Sequence, residues 1–407
     1  MNTGTKRKAI LALVVGAFAS GSIAAANPEP RVVQVNCSSG DTLARALQRG
    51  SEDRALVVVI QGVCNETVVI ERSDVTLRGE AGAAITGPDP ALDAVTVRAD
   101  RVSIENLLIS GGRNGLVARG AGNFVVQGTT VQSTGRTGIL VVNGSGALID
   151  GSTMQNNARD GFSVEGAQAT VVNSTITQNA RVGVFVGPGA SGRVGIDNRN
   201  EAAGNTISLN GSSGVSVFGG SALIAANTVT LNGTDPLQGG RSGISVVNAV
   251  ADVSGSNTIT NNAAQGIFVS RSNVSIGSTA FSFSGVNTIS GNGAATAAGG
   301  VSAFLGGTLF IRDAVISGNH GGGLILGGRS QAQVIASQIQ NNLAAGPSAG
   351  EGIRLFFGSA LMTGTPASMV TGNAGAGLAC FDGESSVSNT ALLGSAGNGA
   401  PDFCTGF

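Results

Sequence analysis

The chain has 407 residues, of which 42% are hydrophobic, 65 are glycine and only 15 are aromatic, all of these being phenylalanine. The apolar content argues against a disordered chain, and the glycine content is unlike that of an ordinary globular domain. The formal net charge is only −1, and no basic patch of the kind that binds nucleic acid is evident.

The first 26 residues have the three parts of a secretory signal peptide. Residues 6–8 are basic, an apolar run follows from Ala9 to Phe18, and residues 24–26 form a small Ala-x-Ala cleavage site. The apolar run is too short to span a membrane, and no later segment resembles a transmembrane helix. We therefore expect an exported protein that is periplasmic, secreted or held at the cell surface. Its mature part has 20 arginines, 24 acidic residues and no lysine.

Residues 27–55 are predicted to form an N-terminal cap. The segment DTLARALQRG places Leu43, Ala46 and Leu47 on one face of a short helix, with Asp41 or Thr42 as the N-cap. Such a helix would cover an open end of the repeat region that follows, because an uncovered end presents unpaired strand edges.

The four cysteines fall into two local couples, Cys37 with Cys64 and Cys380 with Cys404. Export makes both couples disulfide candidates, one at each end of the mature chain. The second couple would hold a C-terminal cap, residues 381–407. Because no Cys-x-x-Cys spacing is present, we predict no metal site and no cofactor.

Residues 56–380 are built on a repeated glycine–apolar–any–apolar element. Its intervals start at 23, 23 and 22 residues, and later ones are lengthened by insertions. The element begins at Gly115, Gly138, Gly161, Gly183, Gly214, Gly243, Gly266, Gly300, Gly323, Gly352 and Gly377.

Each repeat also contains a second apolar stretch with period-2 alternation and β-branched residues, which predicts strands. Two to three short strands per 22 or 23 residues cannot bury their apolar sides alone, but stacked coils can. Parallel pairing between coils then predicts an all-β solenoid, a parallel β-helix.

Two rows of asparagine mark the corners between strands. We expect each row to form a hydrogen-bonded ladder along the stack, and asparagine also tolerates unusual backbone angles. The first row is Asn157, Asn179, Asn210, Asn232, Asn262, Asn292, Asn319, Asn342 and Asn373, and the second is Asn205, Asn227, Asn257 and Asn287.

The runs IGSTAFSFSGVNTISGN at Ile276–Asn292 and GNTISLNGSSGVSV at Gly204–Val217 resemble repeats of the pectate-lyase-like, right-handed parallel β-helix superfamily. That superfamily includes carbohydrate-binding and sugar-hydrolase-like members. The similarity covers about residues 56–380. It implies a single-stranded, right-handed parallel β-helix and a polysaccharide partner, while coil repeats alone do not specify an activity.

The sequence departs from the enzymes of this superfamily. Polygalacturonase-like hydrolases have a catalytic histidine in a Gly-His-Gly setting and an Arg-x-Lys element, whereas the only histidine here is His320, in GNHGGG. Pectate-lyase-like enzymes cluster aspartates for calcium, and no such cluster is found. We interpret His320 as a turn residue.

An arginine row stands two residues before the repeated glycine. If the coils stay in register, these guanidinium groups lie one coil apart and can bind a linear polyanion. The alternative is a row of solvated corner residues without a ligand. The row is Arg113, Arg136, Arg159, Arg181 and, after a break at Ser212, Arg241.

Arg159, Asp160 and Asp150 belong to one repeat and are the candidate catalytic residues. Two carboxylates and an arginine can serve as acid, base and charge stabiliser in glycan cleavage or epimerisation. The alternative is a surface ion pair of less than about 1 kcal/mol.

The middle residue of each glycine triplet should point outward. Leu140, Phe185, Phe268 and Ile325 in that row hint at a contact surface. Three insertions, Thr234–Gly240, Ala294–Ala298 and Ala344–Ser348, lengthen the same corner and form one rim.

Three functions fit these observations. The first is an exported β-helix protein that binds a polyanionic or neutral polysaccharide along its solenoid face. The second is a polysaccharide lyase, hydrolase or epimerase with an atypical site. The third is a structural or adhesive surface protein without catalysis. The sequence does not reveal an oligomeric state.

Overall fold

A computed structural model describes residues 29–49, 54–277, 285–346 and 348–404. Within these residues the chain winds through three parallel sheets, named A, B and C here, and from Leu56 onward it visits them in that order on successive laps. Each strand pairs with the equivalent strands one lap earlier and one lap later, so the predicted all-β solenoid is confirmed. The predicted signal peptide, residues 1–26, lies outside the described residues.

The strands of the three sheets have the following bounds. Sheet A consists of Arg31–Asn36, Leu56–Gln61, Val75–Gly79, Val102–Glu105, Phe124–Gln127, Gly146–Asp150, Gln168–Val172, Ser191–Val194, Ser221–Ala225, Val250–Ser254, Asn273–Ile276, Thr308–Arg312, Gln331–Ile335, Ala360–Thr363 and Ser386–Ser388. Sheet B consists of Val63–Asn65, Ala84–Gly87, Leu108–Gly111, Thr130–Gln132, Thr153–Gln155, Thr175–Thr177, Thr206–Ser208, Thr228–Thr230, Thr258–Thr260, Asn287–Ser290, Ala314–Ser317, Gln338–Gln340, Ser368–Thr371 and Leu393–Ala396. Sheet C consists of Val68–Ile70, Val95–Val97, Leu116–Arg119, Ile139–Val142, Phe162–Glu165, Val184–Val186, Val215–Phe218, Ile244–Val247, Ile267–Ser270, Val301–Phe304, Leu324–Leu326, Ile353–Leu355 and Leu378–Cys380.

A continuous hydrophobic core fills the inside of the three sheets. In strand Ile139–Val142, Ile139 and Val141 are fully buried while the residues between and after them face outward. Burying one such side chain contributes about 1.5–3 kcal/mol. Because the inward residues of successive laps stack directly on one another, the same alternation stabilises every lap.

The repeated glycine is needed because the corner before sheet C is crowded. A Cβ atom added at Gly161 would lie 2.5 Å from Ile176 Cγ2 and 2.7 Å from Asn179 Nδ2. The glycines also stack as predicted, since Ile139 N–H donates to Gly161 O and Phe162 N–H donates to Gly183 O.

Both asparagine rows form the predicted ladders. Asn157 donates both its backbone N–H and its side-chain amide to Asn179 Oδ1, and this pattern continues lap by lap to Asn398 at the corner between sheets B and C, the BC corner. The second ladder, from Asn205 to Asn287, occupies the corner between sheets A and B, the AB corner. The unusual backbone angle falls on the residue before the ladder, as at Asn156 with φ 53°.

The N-terminal end is covered by the helix Leu43–Gln48, which follows the 3-10 turn Cys37–Ser39. Thr42 is its N-cap, and Glu66 accepts hydrogen bonds from the first two helical amides. Leu43 is fully buried in the core, as predicted for the capping helix. Cys37 and Cys64 form the predicted disulfide. Glu66 and the two cysteines have their ligand atoms within 4.8 Å of one another, with the sulphur atoms bonded to each other and the carboxylate engaged in the helix cap.

The C-terminal end is held by the predicted disulfide between Cys380 and Cys404. Strands Ser386–Ser388 and Leu393–Ala396 continue sheets A and B beyond residue 380, with the 3-10 turn Thr390–Leu392 between them. Strand Arg31–Asn36 likewise extends sheet A within the predicted N-terminal cap. No helix in the described part of the chain is long and apolar enough to cross a membrane.

Candidate binding face on sheet C

The outer face of sheet C carries two columns of outward side chains that run along the solenoid axis. The first column is the middle residue of each glycine triplet: Val117, Leu140, Ser163, Phe185, Ser216, Ser245, Phe268, Ser302, Ile325, Arg354 and Ala379. The second column lies two residues further: Arg119, Val142, Glu165, Gly187, Phe218, Val247, Ser270, Phe304, Gly327, Phe356 and Phe381.

The BC corner covers part of the first column. Leu140, Phe185 and Phe268 are half-buried, but Ile325 is only 8% exposed, so the prediction of an exposed Ile325 was wrong. The physical reason is the insertion at Ala294–Ala298. The corner that follows this insertion packs on Ile325. Gly299 is so close to the side chain that a Cβ atom added there would lie 2.9 Å from Ile325 Cδ1.

The predicted arginine row lies at the BC corner, in register. Arg181 N–H donates to Arg159 O, and Arg159 N–H donates to Arg136 O, so these three residues stack on consecutive laps. The insertions after residue 233 lengthen the same corner further along the axis. Row and insertions therefore share one rim of sheet C.

Two buried aspartates lie under the arginine row. Asp93 is 7% exposed, and its carboxylate accepts hydrogen bonds from Arg113, Asn114 and Arg119. Burial alone would raise the pKa of Asp93, but these hydrogen bonds and the charge of Arg113 outweigh it, so the pKa is lowered. Asp93 therefore stays ionised and compensates Arg113 and Arg119.

Asp160 has the opposite balance. It is 3% exposed, with Oδ2 3.5 Å from Arg159 Nε and Oδ1 4.0 Å from Arg181 Nε, and it accepts the Val182 N–H. Burial raises the pKa of Asp160, and the two arginines and the N–H only partly offset that effect. Asp160 is the more buried of the two and accepts no side-chain hydrogen bond, whereas Asp93 accepts hydrogen bonds from three side chains, which accounts for the opposite directions.

The remaining predicted residues are placed differently. Arg136 is exposed, and its side chain has no hydrogen-bond or ion-pair partner among the described residues. Arg241 donates from Nε to Gly233 O, 3.0 Å away, and is thereby engaged by its own lengthened corner. Asp150 lies at the AB corner, where Asn173 donates to it. Sheet B separates that corner from Asp160, so the structure brings Arg159 and Asp160 together and leaves Asp150 apart. His320 supports the BC corner through its backbone, accepting the Gly299 N–H and donating to Asn292 O.

The far end of the face carries a feature that the sequence reading missed, named the aromatic strip here. It consists of Phe268, Phe304, Phe356, Phe357, Phe381, Phe403 and Arg354. Among the described phenylalanines, only Phe124 and Phe162 belong to the core. A signal was present, because four glycine triplets are followed directly by phenylalanine, in GVSVF, GVSAF, GIRLF and GLACF.

Ring contacts make the strip continuous. The ring centroids of Phe268 and Phe304 are 6.1 Å apart, and those of Phe304 and Phe356 are 6.0 Å apart. Phe304 and Phe356 are two laps apart, and the lap between them has Gly327 at the equivalent position. The absence of a side chain lets the two rings meet, because a Cβ atom at Gly327 would lie 2.6 Å from Phe356 Cε2. Both separations are within the range of favourable aromatic pairs.

Arg354 links the two halves of the strip. Its guanidinium carbon lies 5.7 Å from the Phe356 centroid and 4.4 Å from the Phe381 centroid, which are cation–π distances. Phe381 in turn meets Phe403 at 5.2 Å. These last two rings are 47% and 44% exposed, so the end of the strip is open to solvent.

Comparison with known proteins agrees with the architecture. Residues 55–200 match a family model described as a right handed beta helix region. No curated protein sequence matches the chain significantly. The mannuronan C-5 epimerase AlgE4 A-module of Azotobacter vinelandii is similar in structure, with a TM-score of 0.48 and 15% identity over 89% of this chain and 91% of that one.

Two further solved structures show the same type of similarity. The Dettilon tailspike protein has a TM-score of 0.49 and 14% identity, covering 90% of this chain and 68% of that one. Pectate lyase Pel9A has a TM-score of 0.43 and 12% identity, covering 79% and 82%. The family-model match and the three stacked parallel sheets together show that the chain has the right-handed parallel β-helix fold.

Proposed function

We propose that the protein binds a polysaccharide along the outer face of sheet C. The observation that carries this proposal is the aromatic strip, a continuous row of partly exposed rings in a protein whose described core uses only two phenylalanines. Sugar rings present apolar C–H faces that pack on aromatic rings. The strip extends over five laps, and the four spacings between them add up to about 19 Å at the usual strand spacing, which suits an extended chain ligand.

The arginine row extends the same face towards the N-terminal end and favours an acidic polysaccharide. Arginine binds carboxylate or sulfate groups by two parallel hydrogen bonds. Arg136 is the strongest candidate, because Asp93 and Asp160 already compensate its neighbours. We therefore assign ligand binding to Arg113, Arg136, Arg159 and Arg181 and leave Arg241 aside.

Export fits this function, since polysaccharides of this kind lie outside the cytoplasm. Two disulfides, with no free cysteine among the described residues, support an oxidising compartment. The predicted signal peptide supports the same location.

The test uses affinity electrophoresis against a polysaccharide panel that includes acidic and neutral forms of one backbone, such as polygalacturonate and its methyl ester. The double variant Phe304→Ala/Phe356→Ala should weaken binding about tenfold or more, as expected for anchor residues. Met369→Ala is the control, because Met369 is a large exposed apolar side chain on sheet B, outside the aromatic strip. Unchanged binding in the double variant would contradict the proposal, and no binding to any polysaccharide would favour a structural role.

Turnover at Asp160 is a second candidate function. A carboxyl group whose pKa is raised by burial, with two arginines beside it, can hold a proton for a leaving group. Its low exposure argues for a supporting role instead. The same panel, assayed for new reducing ends and unsaturated products, decides this. Asp160→Asn should abolish product formation and Asp150→Asn should not, because Asp150 lies at another corner; binding without products would rule out turnover.

A further inference from the structure

A second concave site lies on the outer face of sheet A, away from the sheet C face. It has a volume of about 740 Å³ and spans the strands from Ser191–Val194 to Thr308–Arg312. Such a volume lies within the range of small-molecule binding sites. The regular repeat does not form this site, because one wall is an insertion.

That wall is the ten-residue corner 195–204. Arg193 Nη2 donates to Asp197 O and to Asn200 Oδ1, both at 2.6 Å, which folds the corner back over the sheet. Asp197 Oδ1 accepts the amides of Arg199 and Glu201 and orders the turn itself. The wall is therefore a built element, and Arg193 is fixed at its base.

One outward column forms the floor. Arg193, Leu223, Asp252, Ser275 and Phe310 follow one another lap by lap in register. At the usual strand spacing Asp252 lies about 10 Å from Arg193, and Phe310 lies about 19 Å from it. The half-buried Leu223 thus lies between two charged residues of the column, Arg193 and Asp252. The aromatic ring of Phe310 forms the end of the column away from Arg193.

Two polar atoms of this column are buried without a hydrogen bond among the described residues, Arg193 Nε and Asp252 Oδ1. One is a donor and the other an acceptor. Burial raises the pKa of Asp252 above its ordinary value. Unsatisfied buried groups of this kind call for a ligand or water.

The rim adds uncharged hydrogen-bonding groups. Ser221, Asn273 and Thr308 form the adjacent outward column with Val250, which is 54% exposed. Hydroxyl and amide groups over apolar Leu223, Val250 and Phe310 match a ligand with many hydroxyls and apolar ring faces. Arg193 and Asp252 are side chains of opposite charge type, so the site favours a ligand without net charge.

We propose that this concavity is a second glycan site, which binds a short neutral oligosaccharide independently of the sheet C face. It differs from the polysaccharide site in its sheet, its ligand charge and its ligand length. Its failure would leave the proposal for sheet C intact.

The test measures binding of neutral hexasaccharides, with α-1,4- and β-1,4-linked glucose as probes, by saturation-transfer NMR and titration calorimetry. Asp252→Ala and Phe310→Ala should each weaken binding about tenfold. Met369→Ala, an exposed side chain on sheet B outside both proposed sites, should leave the affinity unchanged.

Hydrogen exchange on the wild-type protein tests the site without relying on variants that could misfold. Bound hexasaccharide should protect the amides of residues 197–201, which form the wall. Protection on sheet C instead, equal binding by all three variants, or no binding by either probe would overturn the proposal.

Discussion

The two ends of the sheet C face have the same backbone and opposite chemistry. At the N-terminal end, arginines stand over buried Asp93 and Asp160, whereas at the C-terminal end phenylalanines pack edge to face around Arg354. The inward residues belong to one hydrophobic core in both regions, so the contrast lies in the outward positions. The comparison teaches that in this solenoid the scaffold is set by inward residues, and the surface chemistry can change from lap to lap.

The largest expected effect comes from breaking the scaffold that both regions share. Asn262→Ala removes the acceptor of two bonds from Asn232 and the donor to Asn292 and Val229. Leaving these groups unsatisfied should lower the free energy of unfolding by about 3 kcal/mol or more. Thermal and urea unfolding measure this loss. The neighbouring Asn261→Gly, at φ 55°, should be close to neutral because glycine accepts that angle; equal losses for both variants would refute the ladder's importance.

Removing either disulfide tests the contributions of the two ends of the solenoid separately. Cys380→Ala/Cys404→Ala opens a 24-residue loop and should lower stability by about 3 kcal/mol. It should also weaken polysaccharide binding, since Phe403 is no longer held against Phe381. Cys37→Ala/Cys64→Ala, with a separation of 27 residues, should cost similar stability without changing binding. Identical binding by both double variants would detach Phe403 from the proposed site.

The arginines of the row differ in whether a buried aspartate already compensates their charge. Arg136→Ala should weaken binding of an acidic polysaccharide about fivefold at low salt, an effect of about 1 kcal/mol that salt screens. Arg113→Ala should have a smaller effect, because Asp93 already pairs with Arg113. Affinity measured across a salt series tests both; an equal loss in the two variants would argue against this ranking.

The smallest effects are pH-dependent and distinguish the two aspartates. The pKa of Asp93 is lowered in the folded state, so Asp93 stabilises the protein above its unfolded pKa, and this contribution is lost as pH falls through the folded pKa. The pKa of Asp160 is raised, so folding binds a proton, and stability falls as pH rises from the unfolded towards the folded pKa.

Thermal unfolding at several pH values therefore separates Asp93→Asn from Asp160→Asn. The stability lost in Asp93→Asn should shrink on acidification. In Asp160→Asn, the wild-type protein should instead gain stability over the variant as pH falls from neutral. Slopes of the same sign would contradict the opposite pKa shifts.

Much of the candidate site followed from spacing. A row at fixed distance from the repeated glycine had to stack, which placed Arg136, Arg159 and Arg181 one lap apart. The distance in sequence between Asp150 and Asp160 did not reveal that sheet B lies between them. The compensation of Arg113 by Asp93 was also hidden, because Asp93 precedes the first recognised triplet.

The sequence by itself determined the scaffold: the period, the inward alternation, both asparagine ladders, the capping helix and the cysteine pairs. The alternation and the ladders depend on contacts between equivalent residues of neighbouring laps, which the repeat specifies, while the capping helix and the cysteine pairs were indicated by local sequence. Only the tertiary structure decided how side chains meet across a corner or a face. Corner conformation and side-chain direction, which the period does not constrain, decided three features. These are the burial of Ile325, the contact of Phe304 with Phe356 over Gly327, and the sheet A concavity beside corner 195–204.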